Sequence, residues 1–140
     1  MFEECLYFNS NALARTVTRI WSDAYKNFDL SPPHAFLLRV VLAKPGLMPR
    51  QLAGELSLSR STVTRFLDSL ENRGFLIRKM ASKDGREIQV FPTRQAEAIH
   101  KELDQAGKKL TRLMSQLIDQ EDLSLTVSNL RKFQKILEKA

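Results

Sequence analysis

Residues 51–93 read QLAGELSLSRSTVTRFLDSLENRGFLIRKMASKDGREIQVFPT. Two short helical patterns come first, at about 49–56 and 59–73, separated by the turn Ser57-Leu58. Gly74 then stands where a left-handed residue commonly ends a helix. Two strand-like runs follow, Phe75–Met80 and Glu87–Phe91, with a polar, basic tip at 81–86 between them. Helix, turn, helix and hairpin in that order predict a winged helix-turn-helix.

In the second of these helices Val63, Phe66, Leu67 and Leu70 recur at i, i+3, i+4 and i+7, so they are expected to face a core. The opposite face carries Arg60, Ser61, Thr64, Arg65 and Asp68. Small hydroxyls let a helix lie close to base edges, and an arginine can fork onto guanine O6 and N7. Leu52, Ala53 and Leu56 of the preceding helix would brace it from behind. In the hairpin tip, Lys83 and Arg86 suit a narrow groove of strong negative potential. Asp84 between them is expected to hold the Arg86 guanidinium in a fixed pose, and Asp84-Gly85 is also a good turn.

The flanks are helical. Residues 2–28 carry a stripe of Leu13, Val17, Ile20, Trp21, Ala24 and Phe28. Ser31-Pro32 offers a cap and a first helical residue for a helix over about 33–43, with Phe36, Leu37, Val40 and Val41 as its apolar positions. Pro49 opens the next helix, though Met48 at its cap has no side-chain oxygen. Thr93 can cap a long helix whose seam is Ala96, Ile99, Leu103, Ala106, Leu110, Leu113 and Leu117. A last helix is expected from about Ser124 to Glu138. The fold class is therefore mainly α with a small β-hairpin wing: residues 31–94 form the winged helix-turn-helix, and 1–30 with 95–140 form a helical dimerisation region. Three amphipathic helices from the chain ends would bury one another in a two-fold dimer, or in an intramolecular bundle.

Charge placement agrees with that division. The chain of 140 residues has a net charge of +6. Residues 1–43 are neutral, 44–94 carry +5 and 95–140 carry +1. Positive charge gathered on a helix-turn-helix pattern points to phosphate. The 43% apolar content is that of a folded chain. No apolar run is long enough to span a membrane, the N-terminus lacks a signal-peptide pattern, and the single cysteine, Cys5, has no internal partner. A cytoplasmic location is the expectation. The two histidines, His34 and His100, are far apart, and no His/Cys cluster, Gly-rich phosphate loop or Gly-x-Ser-x-Gly is present. No enzyme, cofactor or metal is expected. A winged helix used as a protein-interaction module is the rival, and it would not need Arg60, Arg65, Lys83 and Arg86 on one side.

The run LAGELSLSRSTVTRFLDSLENRGFLIRK, followed by Asp84-x-Arg86-x4-Phe91-x-Thr93, resembles the MarR family of bacterial transcription regulators. The resemblance spans nearly the whole chain. It departs from the family pattern at Met48, where a capping Ser or Thr is usual, and at Pro92-Thr93-Arg94-Gln95-Ala96, where the family usually reads Leu-Thr-x-x-Gly. It implies a homodimer with helices one, five and six at the interface, recognition helices in successive major grooves of a palindromic operator, and wings in the minor grooves. Carried over by position, the double-stranded DNA contacts are Ser59, Arg60, Ser61, Thr62, Thr64 and Arg65 with Lys83, Asp84 and Arg86. Repression is the commoner family mode, with release by a small aromatic or phenolic effector. Arg15, Trp21, Tyr25, His34 and Phe36 are the candidates to line that cleft, against a plainer reading of Trp21 and Phe36 as core and of Arg15 and Tyr25 as surface. One branch senses hydroperoxides through a cysteine near the start of helix one. Cys5 falls in that region, so a redox-sensing regulator is an alternative, but Glu3 and Glu4 oppose a thiolate and a buried, inert thiol is expected.

Overall fold

A computed structural model describes every residue except Ser82. It divides into two compact units, Met1–Ala106 and Gly107–Ala140. The first contains α1 (Leu6–Tyr25), α2 (Pro32–Ala43), α3 (Pro49–Leu56), α4 (Arg60–Asn72), β1 (Leu76–Met80), β2 (Ile88–Pro92) and the start of α5 (Arg94–Leu117). The second contains the remainder of α5 and α6 (Gln120–Leu137).

The helix expected over 2–28 is shorter and broken. It begins after Cys5 and ends at Tyr25, and Lys26–Phe28 form a single 3-10 turn. Asp29, at φ 53°, stops the turn in the left-handed region, with its N–H on the Lys26 carbonyl. A short polar side chain tolerates that conformation.

Helix α2 is the centre of the first unit and packs on α1, α3, α4 and β2. Ser31 caps it, accepting from the His34 N–H at 3.4 Å. Its buried residues are Ala35, Leu37, Leu38, Val41 and Leu42. Phe36, expected to point inward, is instead 39% exposed, and Val40 is half-buried.

At α3 the missing cap oxygen of Met48 is offset from inside the helix, where Gln51 Oε1 accepts the Met48 N–H at 2.8 Å. Ser57, at φ 52°, turns the chain toward α4. Ser59 caps α4, accepting from the Thr62 N–H at 3.2 Å. Gly74, at φ 78°, ends the α4 segment, and a Cβ there would lie 2.7 Å from Gln95 Oε1. The positive φ favours glycine, whereas the Gln95 side chain can swing aside.

β1 and β2 pair antiparallel, Leu76 opposite Pro92 and Met80 opposite Ile88. The loop after α2 adds a third element, because Leu47 bridges Val90. The Gly46 N–H donates to the Val90 carbonyl at 2.8 Å, and the Val90 N–H donates to Leu47 at 2.9 Å. Gly46 is at φ 90°, with the Phe91 ring 3.4 Å from where its Cβ would be. Thr93 then joins hairpin to helix: its hydroxyl donates to the Gly74 carbonyl at 2.6 Å and accepts from the Ala96 N–H at 3.3 Å.

In the second unit α6 begins about four residues before the expected Ser124. Asp119 is its cap, with Oδ2 accepting from the N–H groups of Glu121 and Asp122 at 3.0 and 3.3 Å. Leu125, Val127, Leu130, Ile136 and Leu137 of α6 are exposed. No described helix is long and apolar enough to cross a membrane.

Candidate nucleic-acid interface

Val63, Leu67 and Leu70 of α4 are buried, which fixes the opposite face outward. Arg60, Ser61, Thr64, Arg65 and Asp68 are all exposed on it. Phe66 is half-buried, its ring 4.6 Å from that of His34.

The hydroxyls at the start of α4 are partly spoken for. Ser59 donates to Thr62 Oγ1 at 2.8 Å, and Ser59 and Ser61 share a hydrogen bond at 3.1 Å. Thr64 donates back to the Arg60 carbonyl at 2.9 Å. Ser59 is thereby saturated, since it also accepts the Thr62 N–H; Ser61 and Thr64 keep lone pairs to accept with, and Thr62 keeps its proton to donate. By contrast, Arg60 and Arg65 have no ion-pair partner among the described residues.

On the hairpin tip Lys83 and Arg86 are exposed. Asp84 Oδ1 accepts the Arg86 N–H at 3.2 Å, and its Oδ2 lies 3.4 Å from Arg86 Nε. The expected Asp84–Arg86 pairing is therefore present, although the Arg86 side chain stays 85% exposed. Arg86 and Arg60 border one recess of about 170 Å3, together with Met48, Pro49, Arg50, Glu87 and Ile88. The fold thus brings the start of α4 and the wing together.

Two contributors were missed in the sequence. Arg50 lines the recess from α3. Arg78 of β1 bonds Glu71 at 3.0 Å and Asp68 at 2.7 Å, tying the hairpin to α4. The Glu71 hydrogen bond, followed by that from Asp68 against partial burial, raises the Arg78 pKa above the ordinary guanidinium value. The spacing Glu71 to Arg78 gives no periodic signal, because the chain reverses between them at Gly74.

The five effector candidates do not form one cluster. Tyr25 is fully buried, contrary to its reading as a surface residue. Its hydroxyl accepts from Arg39 Nη1 at 3.4 Å, and its ring meets that of Phe36 edge-on at 6.3 Å. Arg39 also reaches Asp104 at 3.1 Å, and Asp104 lies 3.5 Å from His100, a chain linking α1, α2 and α5 that the sequence did not reveal. His34 bonds the Ser31 hydroxyl, and its ring meets that of Phe66 at a tilt of 54°. Burial, and then the nearby Arg73 charge, push its pKa below the usual imidazole value. Trp21 is half-buried and Arg15 is exposed. Arg15 stands about 15 Å along α1 from Tyr25, at ten residues of helical rise. Cys5 is exposed at the start of α1, which corrects the expectation of a buried thiol.

Residues 30–88 match the model of the MarR family. The chain is 24% identical over 128 residues to the HTH-type transcriptional regulator YybA of Bacillus subtilis, covering 91% of this chain and 85% of that protein. The MepR–DNA complex of S. aureus superposes with a TM-score of 0.84 at 17% identity, covering 96% of this chain and 99% of that one. The PcaV regulator of Streptomyces coelicolor, solved with its natural ligand, superposes with a TM-score of 0.83 at 18% identity, covering 96% and 95%.

Proposed function

We propose that this chain, whose residues 30–88 match the MarR family of transcriptional regulators, acts as a homodimeric repressor on a palindromic operator. In this reading α4 enters the major groove, with Arg60, Ser61, Thr64 and Arg65 toward the base edges and Ser59 and Thr62 shaping its start. The wing lays Arg86 and Lys83 into the flanking minor groove, with Asp84 orienting Arg86. One observation carries it. Arg60 and Arg65 stand exposed and without ion pairs on α4, and Arg86 of the wing borders the same recess as Arg60. The structural neighbour MepR was solved on DNA.

Dimerisation is supported by apolar surface at both ends of the chain. Phe2, Leu6, Tyr7 and Phe8 near the start of α1 are exposed, as are Leu125, Val127, Leu130, Ile136 and Leu137 of α6. Surface of that kind on a folded chain marks an association face. Release by a small aromatic ligand is supported by the neighbour PcaV, solved with its ligand, and by the partly open Phe36 ring beside Tyr25.

Titration of the full chain with duplex DNA at several salt concentrations tests the reading. A DNA-binding regulator gives a log–log slope of roughly −0.9 per neutralised phosphate. Binding that is flat with salt, or absent, rejects it in favour of a protein-interaction module. Sedimentation equilibrium tests the dimer.

A further inference from the structure

The recess beside the wing is walled by side chains from three elements. Pro49 and Arg50 come from the first turn of α3, Arg60 from the first residue of α4, and Arg86, Glu87 and Ile88 from the hairpin. Arg50, Arg60 and Arg86 therefore border one space of about 170 Å3, together with Met48, Pro49 and Ile88. Arg50 and Arg60 have no ion-pair partner among the described residues, while Arg86 is paired with Asp84. Arg50 and Arg60 share this space without a counter-ion of their own, and like charges repel one another. An oxyanion seated among them removes that repulsion.

We propose that this recess is the seat of a single phosphodiester of the bound duplex, with Arg50 as its anchoring group. The assignment rests on the DNA-binding reading and adds to it a contact from α3. A duplex that engages both α4 and the wing must pass over the space between them, which is where the recess lies. Charge selects among phosphoryl groups. The three arginines face two carboxylates, Glu87 on the rim and Asp84 on Arg86, leaving a surplus of one positive charge. That surplus matches a singly charged backbone phosphodiester better than a dianionic free phosphate. A phosphate contact carries no sequence information, so Arg50 sets register and affinity and leaves base preference to α4.

The test compares wild type, Arg50→Gln and Arg50→Lys as full chains. Each is titrated with a random-sequence duplex and with a duplex that the wild type enriches from a random pool, over a range of salt. Arg50→Gln is expected to weaken both duplexes by the same factor, on the order of tenfold. It is also expected to flatten the log–log salt slope by roughly 0.9 per protomer, while Arg50→Lys keeps most of the slope. Arg50 is exposed, so unfolding curves of the variants should overlay that of the wild type. An unchanged slope in Arg50→Gln, with normal wild-type binding, overturns the seat and leaves the regulator reading standing. Wild-type binding without salt dependence overturns the regulator reading itself. A second arm titrates the DNA-free chain with inorganic phosphate: saturable binding that is lost in Arg50→Gln reassigns the recess to a free anion, and its absence supports the phosphodiester.

Discussion

Arg78 on β1 and Asp68 on α4 stand 2.7 Å apart, and the same guanidinium also holds Glu71. The pairing does two things. It fixes the root of the hairpin against α4, and it neutralises the one carboxylate on the exposed face that also carries Arg60 and Arg65. Arg78→Met should cost about 1 kcal/mol in urea unfolding, because half-buried Glu71 loses its partner, while exposed Asp68 adds little. DNA affinity should fall as well. Adding Asp68→Asn and Glu71→Gln to Arg78→Met should recover much of that affinity if charge is the cause. A failure to recover would assign the effect to hairpin position alone.

The base-reading and backbone-binding arginines should separate in their behaviour. Arg65→Ala is expected to cost on the order of 1–3 kcal/mol against a selected duplex and little against random sequence. Arg86→Ala should weaken both duplexes and flatten the salt dependence. Equal losses on the two duplexes for Arg65→Ala would remove it as a base reader.

Stability should fall on acidification through His34. Its folded pKa is lowered, by burial first and by Arg73 second, so between the folded and unfolded values the unfolded chain binds the extra proton. The contribution is complete above the unfolded value, about 6.5, and is lost as pH drops through the folded one. Melting curves at pH 7.5 and 5.5 should show a smaller acid-induced decrease in Tm for His34→Gln than for the wild type.

Gly46→Ala tests the junction between the loop and the wing. At φ 90° and with the Phe91 ring at 3.4 Å, an added methyl group should destabilise the chain by roughly 1–2 kcal/mol. Gly54 has a helical backbone and nothing within 4 Å of an added Cβ. Gly54→Ala should therefore be neutral or stabilising by a few tenths to about 1 kcal/mol.

Much of the fold was legible because its signals are local. Ser31, Ser59 and Thr93 read as caps from their own neighbourhoods, and each accepts the backbone N–H three residues on. The inward face of α4 followed from a period of 3.6. The Asp84–Arg86 pair was legible because two residues in a tight turn must meet. What escaped depended on the chain returning to itself. Arg50 reaches the wing recess only because α3, α4 and the hairpin converge. The Arg39–Asp104 pair spans 65 positions, and Tyr25 is buried because α2 covers it with Phe36 and Arg39. The start of α6 is earlier than expected because Asp119, two residues after the end of α5, caps it with its own carboxylate.

The Leu47–Val90 bridge changes what the hairpin is mechanically. A two-stranded ribbon in water is barely self-supporting, yet here its middle is sewn to the polypeptide leaving α2 by two backbone hydrogen bonds on a single residue, Val90. The ladder continues through the Ala81 N–H on the Glu87 carbonyl, so freedom to bend is expected only in the tip beyond it, like a plank clamped along its length. Deuterium uptake should accordingly be slow at the Val90 amide and fast toward Gly85. A duplex meeting this arm would adjust only its far end, while the clamped strands keep the arm aimed.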